Sequence, residues 1–335
     1  MNVPEQFVIE KFYQFAGYPR FKKISNTYEA GCPICKEGSS WGRKRRLYYI
    51  PKDEILCCHN CGWYGNPIKW IMVVEGISFR ELAQQLETSD SAVVDVSTMF
   101  KQTEQVYDVP DIPVDSIDLF HDQQTEYYKN NKIVQQAIQY LKDRKIDTAV
   151  NRPDHVYLSL VDKVHKNRIC FPSCNKSGKV THYQTRSFLP NDDRPKYLSK
   201  LRSERDIYGI NNVTDIYPVM YIFEGPVDSF FVENGVAIYG IQENSKTCLT
   251  ASQYNALNSR FYINKTWVLD NQRRDTTSLK NTKRLLEQGE RVFIWPESLA
   301  QFKDFNEMCV HFNLNEISNK LIDDNTHQYS GATVR

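Results

Sequence analysis

Five of the nine cysteines lie between residues 32 and 61, and four of these form two CxxC pairs, Cys32 with Cys35 and Cys58 with Cys61. Each pair presents two thiolates from one tight turn, and two such pairs complete the tetrahedral shell of a Zn²⁺ ion. Cys57 or His59 could replace one of the nominal ligands, but Cys58 is favoured because it keeps the CxxC spacing. The pattern predicts one structural zinc site with a β-hairpin between its two halves.

Basic and aromatic residues accompany the cysteine pairs. The run Arg43, Lys44, Arg45 and Arg46 lies between the pairs and is followed by Tyr48, and Trp63 comes just after the second pair. Cations that meet phosphates and rings that stack on bases make up a surface for single-stranded nucleic acid. The alternative is a solvated loop next to aromatic residues of the core.

Acidic residues at predicted strand ends form a second candidate site. The carboxyl ends of parallel strands are where open α/β sheets bind ligands, and converging carboxylates there require a cation such as Mg²⁺. Such a site handles phosphoryl or nucleotidyl transfer. Two of the acids, Glu224 and Asp270, end predicted strands, and the third, Asp304, lies in a loop at the start of a predicted helix.

The composition suits a folded protein that needs no membrane. The 335 residues carry 42 basic and 41 acidic side chains, and 41% of them are hydrophobic, which excludes a disordered or supercharged chain. No apolar run approaches the roughly 18 residues of a membrane span, and the N-terminus lacks the pattern of a secretory signal. We therefore expect a cytoplasmic location.

Residues 131–210 carry 16 basic and 8 acidic side chains, which suits contact with a polyanion.

The pattern along the chain indicates an α+β multidomain protein. Residues 119–210 combine a helical segment with short strands and a hairpin turn at 175–179, and strands alternate with helices from about 217, including a helix over 276–288. The tail from about 320 is expected to be poorly ordered. The predicted boundaries are a zinc domain at 1–86, a linker at 87–118, a basic subdomain at 119–210, an α/β domain at 211–313 and a tail at 314–335.

The order of these motifs resembles that of bacterial-type (DnaG-like) DNA primases, and in length the chain is similar to the stand-alone primases of T-even-type bacteriophages. The resemblance covers residues 28–310. It is carried by the two cysteine pairs and by five further segments, which are HYQTR at 182–186, KYL at 196–198, EGPVD at 224–228, DNQ at 270–272 and KDFNE at 303–307.

The resemblance implies a zinc ribbon with a small antiparallel sheet that reads the template, then a basic subdomain and a TOPRIM domain that performs Mg²⁺- or Mn²⁺-dependent RNA synthesis from NTPs. Glu224 matches the essential glutamate, a metal ligand or proton acceptor. Asp228, Asp270 and Asp304 match the metal-site aspartates. The residues that the resemblance places along the path of template and nucleotides are Arg168, Lys179, Arg186 and Lys196.

Two positions depart from the family pattern. Gln272 stands where the second acid of a DxD motif is usual, and Asn306 stands where many relatives have Asp; both amides could still bind the metal through oxygen.

No P-loop signature is present, so the resemblance implies a replicative helicase on a separate chain, together with a single-strand binding protein. The alternatives are a TOPRIM nuclease and a non-catalytic recombination mediator that clamps DNA.

Overall fold

The computed structural model describes residues 3–36, 41–88, 111–175, 177–201, 203, 205–214, 216, 218–242, 245, 247–260 and 263–329. They divide into two compact units. Unit 1 comprises residues 1–110 with 199–203, and unit 2 comprises residues 111–198 with 204–335. Among the described residues, no helix has the length and apolar character that a membrane span requires.

Unit 1 is built on a five-stranded antiparallel sheet with strands in sequence order. Its core contains Phe12, Leu47, Leu56 and Trp70, all fully buried. Its strands are β1 (Gly17–Lys22), β2 (Thr27–Gly31), β3 (Leu47–Ile50), β4 (Ile55–Cys58) and β5 (Tyr64–Gly65). Its helices are α1 (Glu5–Phe15), α2 (Pro67–Glu75) and α3 (Phe79–Thr88). The hairpin expected between the cysteine pairs is confirmed as β3 and β4.

Unit 2 begins with a five-stranded antiparallel sheet. Its strands are β6 (Ser116–Asp118), β7 (Tyr157–Ser159), β8 (Arg168–Cys174), β9 (Val180–Ser187) and β10 (Tyr197–Ser199). The helices here are α4 (Asp122–Tyr127) and α5 (Lys132–Asp143). The side chain of Asn131 begins α5 by accepting from the amides of Ile133 and Val134, so the helical pattern seen in the sequence is two helices. Most of the predicted linker, residues 89–110, lies outside the described residues.

The second sheet of unit 2 carries the acidic residues. Four parallel strands are followed by one antiparallel strand, in the order β12-β11-β13-β14-β15. The strands are β11 (Val219–Phe223), β12 (Gly235–Ala237), β13 (Asn264–Val268), β14 (Arg291–Phe293) and β15 (Thr326–His327). The helices are α6 (Pro226–Ser229), α7 (Ala251–Asn258), α8 (Thr276–Glu287), α9 (Phe305–Phe312) and α10 (Asn319–Asp324). The α+β architecture with one mixed and one α/β part is therefore confirmed.

The expectation of a poorly ordered tail from about 320 is wrong for residues 320–329. Ile322 is fully buried in the core of unit 2, and β15 adds a strand to the sheet beside β14. The hydroxyl of Tyr221 on β11 also donates to the Asp323 carboxylate at 3.1 Å. The strand pairing joins residues 33 to 35 positions apart, and the Tyr221 contact joins residues 102 positions apart. The polar sequence of the tail alone does not predict either contact.

Candidate metal centre and active site

The four cysteines of the two CxxC pairs meet at one point in unit 1. The sulfur atoms of Cys32, Cys35, Cys58 and Cys61 all lie within 4.8 Å of one another. Within the described ranges they are the one group of three or more Cys, His, Asp or Glu side chains that converges in this way. Hydrogen bonds with its three partners, led by Cys32, lower the pKa of the Cys35 thiol. Four clustered thiols, one already biased toward thiolate, fit a tetrahedral Zn²⁺ site.

The cysteine cluster has a second layer of polar contacts centred on Asn60. The Asn60 backbone amide donates to the Cys58 sulfur and its side-chain amide donates to the Cys35 sulfur, both at 3.3 Å. Arg46 in turn donates to the side-chain oxygen of Asn60, and the Arg46 carbonyl accepts from the His59 amide at 2.9 Å. Such contacts orient the ligands of a metal site. Arg46, predicted as a nucleic-acid contact, is therefore engaged with the second cysteine pair.

Neither alternative ligand belongs to the cysteine cluster. Cys57 lies on β4 opposite Tyr48 on one side and Tyr64 on the other, and burial raises its pKa to about 12. The His59 ring contacts Tyr48 edge-on, with ring centroids 5.4 Å apart. The alternation of side chains along β4 explains why Cys58 and not Cys57 faces the other cysteines.

The acidic residues lie at the carboxyl end of the parallel sheet of unit 2. Glu224 follows β11 directly, and Asp228 lies in the short helix α6 that comes next. Asp270 comes two residues after β13, and Asp304 caps α9 by accepting from the Glu307 amide at 2.8 Å. Parallel strand order thus brings residues from three chain segments to one edge, as the sequence pattern predicts.

The acids influence one another, and a lysine lies between two of them. Burial, followed by the charges of Asp304 and Asp270, raises the pKa of Asp228 well above its usual value. Lys303 places its ammonium 3.5 Å from Asp270 and 3.7 Å from Asp304. These acids therefore share an edge but do not close around a single point as the cysteines do, because like charges repel unless a cation separates them.

The loop that carries Lys303 and Asp304 is held beside the end of β13 by Asn271. The Asn271 amide donates to the Lys303 carbonyl at 2.8 Å, and its buried side chain donates to the Phe302 carbonyl at 2.6 Å. Asn271 therefore has a structural role. The next residue, Gln272, is 8% exposed, and neither of its side-chain amide atoms has a hydrogen-bond partner within the described part of the chain. A buried oxygen without a donor fits a metal ligand.

The side chain of Asn306, predicted as a metal ligand, is engaged with another residue in the structure. Both atoms of its side-chain amide are used by Arg144 at the end of α5: the Arg144 guanidinium donates to the oxygen and the Arg144 carbonyl accepts from the nitrogen, each at 2.7 Å. The Asn306 backbone amide donates to the Asp228 carboxylate at 2.9 Å. Asn306 therefore connects the basic subdomain to the acidic edge and holds Asp228 in place.

Four cations face the acidic edge. Burial, followed by the charges of Arg186, Lys303 and Arg144, lowers the pKa of Lys196 to about 8. Lys196 therefore lies within electrostatic reach of the other three positive groups. Arg186 donates to the hydroxyl of Tyr197 and packs its guanidinium on the Tyr140 ring, 5.8 Å from the centroid. A concentration of positive charge that depresses a lysine pKa is suited to a polyanion such as a triphosphate.

The structure also contradicts a nucleic-acid role for Arg168. Its side chain is fully buried, and it donates to the carbonyls of Pro195 and Lys196 at 2.6 and 2.8 Å. It also pairs with Asp192. A guanidinium used in this way inside the protein cannot meet a phosphate, and it instead supports the segment that carries Lys196.

The remaining predicted contacts have mixed exposure. Arg43 and Lys44 are exposed, Arg45 is half-buried, and Lys179 is exposed at the tip of the β8–β9 hairpin. The aromatic residues Tyr48 and Trp63 are half-buried, and Trp63 packs against the core of unit 1. Their assignment to nucleic acid stays a prediction.

Sequence reasoning did not single out Arg144 or assign a role to Lys303. Arg144 follows the last turn of an amphipathic helix, where a basic residue is ordinary. Lys303 directly precedes Asp304 in the sequence, and this position beside a predicted metal-site acid could have identified it.

No protein-family model matches the chain. Curated proteins similar in sequence include the DNA primase of Enterobacteria phage T4, 25% identical over 88% of this chain and 85% of the phage protein. They also include the DNA primases of Staphylococcus aureus (strain MW2), 23% identical over 83% of this chain, and Aquifex aeolicus, 26% identical over 40%. The chain spans 52% and 24% of the lengths of these two bacterial proteins.

Solved structures similar to the chain include the zinc-binding and RNA polymerase domains of the Aquifex aeolicus primase, at 17% identity and a TM-score of 0.37. That match covers 96% of this chain and 83% of the other. The sequence similarity to the phage protein extends over 88% of this chain. By sequence the chain is therefore similar to DnaG-like DNA primases, in the order of motifs as well as in length.

Proposed function

We propose that this chain synthesises short RNA primers on single-stranded DNA from NTPs during DNA replication. The observation that carries the proposal is the meeting of two opposite charge groups in unit 2. Acids at the end of the parallel sheet face the four cations Arg144, Arg186, Lys196 and Lys303. Nucleotidyl transfer needs both, one group for the metal and the other for the triphosphate.

Asp228, Asp270 and Asp304, with Glu224 and the Gln272 oxygen, are the residues that would hold Mg²⁺ or Mn²⁺. When bound, the metal supplies charge stabilisation at the reacting phosphate and lowers the pKa of the attacking hydroxyl. Asp228 is oriented for this role by the Asn306 amide. Lys303 is placed to exchange its contact with Asp270 and Asp304 for one with the triphosphate.

The cations position the incoming nucleotide. In the reaction, the 3′-hydroxyl of the primer, or of the first nucleotide, forms a bond to the α-phosphorus of the next NTP. The bond from that phosphorus to the bridging oxygen breaks, pyrophosphate leaves, and the hydroxyl proton passes to Glu224 or to water. Arg186 is held by Tyr140 and Tyr197, so its guanidinium is preorganised for phosphate oxygens at little cost in entropy.

Unit 1 contributes the template-binding part of this function. Its four cysteines would hold one structural Zn²⁺, and its exposed basic residues Arg43 and Lys44 would contact template phosphates. A replicative helicase on a separate chain and a single-strand binding protein are the partners that the family resemblance implies. We include both in the proposal.

Incubation of the full chain with single-stranded DNA, Mg²⁺ and labelled NTPs tests the proposal. We expect NTP-dependent RNA of a few nucleotides or more, and its loss by at least about 100-fold in Glu224→Gln and Asp270→Asn, with DNA binding retained. Asp324→Asn, a change at an exposed acid of α10, is the matched control.

The other two classes of protein give different results in the same reaction. A TOPRIM nuclease would shorten the DNA with Mg²⁺ and without NTPs. A recombination mediator would bind DNA and incorporate no ribonucleotide. Either result, or full synthesis by both acid variants, contradicts the proposal.

A further inference from the structure

Trp41 lies directly on the backbone of the first hairpin of unit 1. Gly17 on β1 pairs in register with Gly31 on β2. A Cβ atom on Gly17 would come within 2.8 Å of the Trp41 indole, and one on Gly31 within 2.7 Å. A flat ring can rest here because neither residue has a side chain. The indole nevertheless remains 38% exposed.

Tyr18 stands next to Trp41 and is more exposed. It is 71% exposed and has a φ of +49°, a left-handed conformation that is uncommon for a residue other than glycine. Its carbonyl accepts from Arg45 Nε at 3.0 Å, and its ring lies beside Gly42, which has a φ of +76°. Packing does not explain why a large ring is held at the surface on strained backbone, and such strain is common at functional sites.

The exposed rings adjoin the basic run. Arg43 and Lys44 are exposed and directly follow Gly42, and Arg45 joins the run to Tyr18. Arg46, by contrast, is engaged with Asn60 at the cysteine cluster. Tyr48 and Trp63, the rings singled out from the sequence, are half-buried. The exposed aromatic surface nearest the basic residues is therefore Tyr18 and Trp41, which we call the aromatic shelf.

We propose that the aromatic shelf, Tyr18 and Trp41, stacks bases of single-stranded DNA while Arg43, Lys44 and Arg45 contact the phosphates that flank them. Stacking tolerates any base, since every base has a π-face, and the neighbouring cations match the charge of the strand. The identity of this strand as a replication template rests on the proposed function. The binding itself depends only on the surface of unit 1.

Tryptophan emission provides a direct test with the zinc-loaded full chain and an oligothymidylate as the probe. The other four tryptophans are more buried: Trp70, Trp267 and Trp295 are at most 3% exposed, and Trp63 is half-buried. We expect the oligonucleotide to quench the emission of the wild-type chain. We expect Trp41→Phe to lose most of this quenching and the control variant Trp267→Phe, at a buried tryptophan of unit 2, to keep it. Equal quenching in Trp41→Phe and the wild type overturns the proposal.

A second variant removes a ring without depending on how Trp41 packs. Asn tolerates left-handed backbone, so Tyr18→Asn should keep the fold of the hairpin. Loss of one stacked base should weaken binding of the same oligonucleotide, measured by fluorescence anisotropy, by roughly 5- to 150-fold. Tyr127→Asn in unit 2, at a residue 81% exposed, is the control and should bind as the wild type does. If Tyr18→Asn binds the oligonucleotide with wild-type affinity, the proposal that the aromatic shelf stacks bases is wrong.

Salt dependence separates the two kinds of contact. Arg43→Gln should lower the slope of log affinity against log salt by about 0.7, because one fewer counterion is released from single-stranded DNA, whereas Tyr18→Asn should leave the slope unchanged. A reduced slope in Tyr18→Asn contradicts stacking.

These measurements use no NTP, so DNA binding by the shelf without any RNA synthesis would refute the proposed function and leave this inference standing. If the wild-type chain makes primers and the shelf variants bind DNA as tightly as the wild type, the proposed function stands and this inference is refuted.

Discussion

The two candidate metal sites of this protein are assembled in opposite ways. The four sulfur atoms of the cysteine cluster come from two short turns and already lie within 4.8 Å of one another. The acids of unit 2 come from three separate segments, share one sheet edge, and keep Lys303 between Asp270 and Asp304. A structural site is complete before its substrate arrives, whereas a site for phosphoryl chemistry leaves room for waters and phosphate oxygens.

The support around each site differs as well. Asn60 and Arg46 hold the cysteine cluster from within the same small sheet. The acidic edge is held by Asn271 and by the exchange of hydrogen bonds between Asn306 and Arg144, which are 162 residues apart. The first site is therefore local, and the second depends on how distant parts of unit 2 pack together.

The largest effect should follow from removing one ligand of the cysteine cluster. Cys58→Ser removes one of four ligands, and structural zinc contributes on the order of 10 kcal/mol to the folding of small domains, so we expect loss of zinc and unfolding of unit 1. Zinc content and thermal unfolding measure this. The control is Cys57→Ser, one residue away, which should keep the metal; loss of zinc from Cys57→Ser with retention in Cys58→Ser would show that the ligand is misassigned.

A smaller effect should follow from restoring the family acid at Asn306. Asn306→Asp loses the donor to the Arg144 carbonyl and should lower the free energy of unfolding by about 1–3 kcal/mol. The rate of RNA synthesis should fall by about tenfold, because the changed contact with Arg144 shifts the backbone amide of residue 306 that donates to Asp228, with the half-saturating Mg²⁺ concentration unchanged.

A Mg²⁺ titration distinguishes this explanation from direct ligation by residue 306. If the side chain were a ligand, the acid would lower the half-saturating concentration. Arg144→Ala serves as the companion variant, and the two substitutions together should cost less than the sum of each alone because they break the same contacts.

Lys303 is a further difference between the two sites, because its ammonium lies near both Asp270 and Asp304. Lys303→Met removes the positive charge beside Asp270 and Asp304, so Mn²⁺ should bind roughly two- to fivefold more tightly, a modest change because the lysine is half exposed. Electron paramagnetic resonance of free Mn²⁺ measures this without any reaction. Lys320→Met, at an exposed lysine of α10, should leave Mn²⁺ affinity unchanged. Weaker binding in Lys303→Met would mean that the lysine assists the metal.

The smallest effect concerns pH. Burial and the neighbouring cations Arg186, Lys303 and Arg144 lower the pKa of Lys196 to about 8. Below this pH the ammonium is charged and attracts the triphosphate, and above it the charge is lost, so the KM for NTP should rise by a few-fold between pH 7.5 and 9. Lys196→Arg stays charged throughout this range and should flatten the profile. An unchanged pH profile in Lys196→Arg would remove Lys196 from nucleotide binding.

Local patterns in the sequence were enough to predict several elements. The hairpin between the cysteine pairs, the helix predicted over 276–288 and observed as Thr276–Glu287, and the strand that ends at Phe223 before Glu224 are all present. Each follows from rules that act over a few residues, such as the spacing of thiols, helix caps and the turn after a buried strand. Asp275, for example, caps the helix by accepting from the Ser278 amide.

The sequence by itself determined the two sets of candidate ligands, because CxxC pairs and acids after buried strands are patterns of residue type and spacing. Only the tertiary structure decided which side chains are free to act. Arg168 and Arg46 have the residue type of phosphate contacts but donate to other groups of the protein, and the side chain of Asn306 bonds Arg144. Tyr18 and Trp41 are exposed, and Trp41 rests on two paired glycines. Burial and hydrogen-bond partners arise from contacts between distant segments, which no local pattern records.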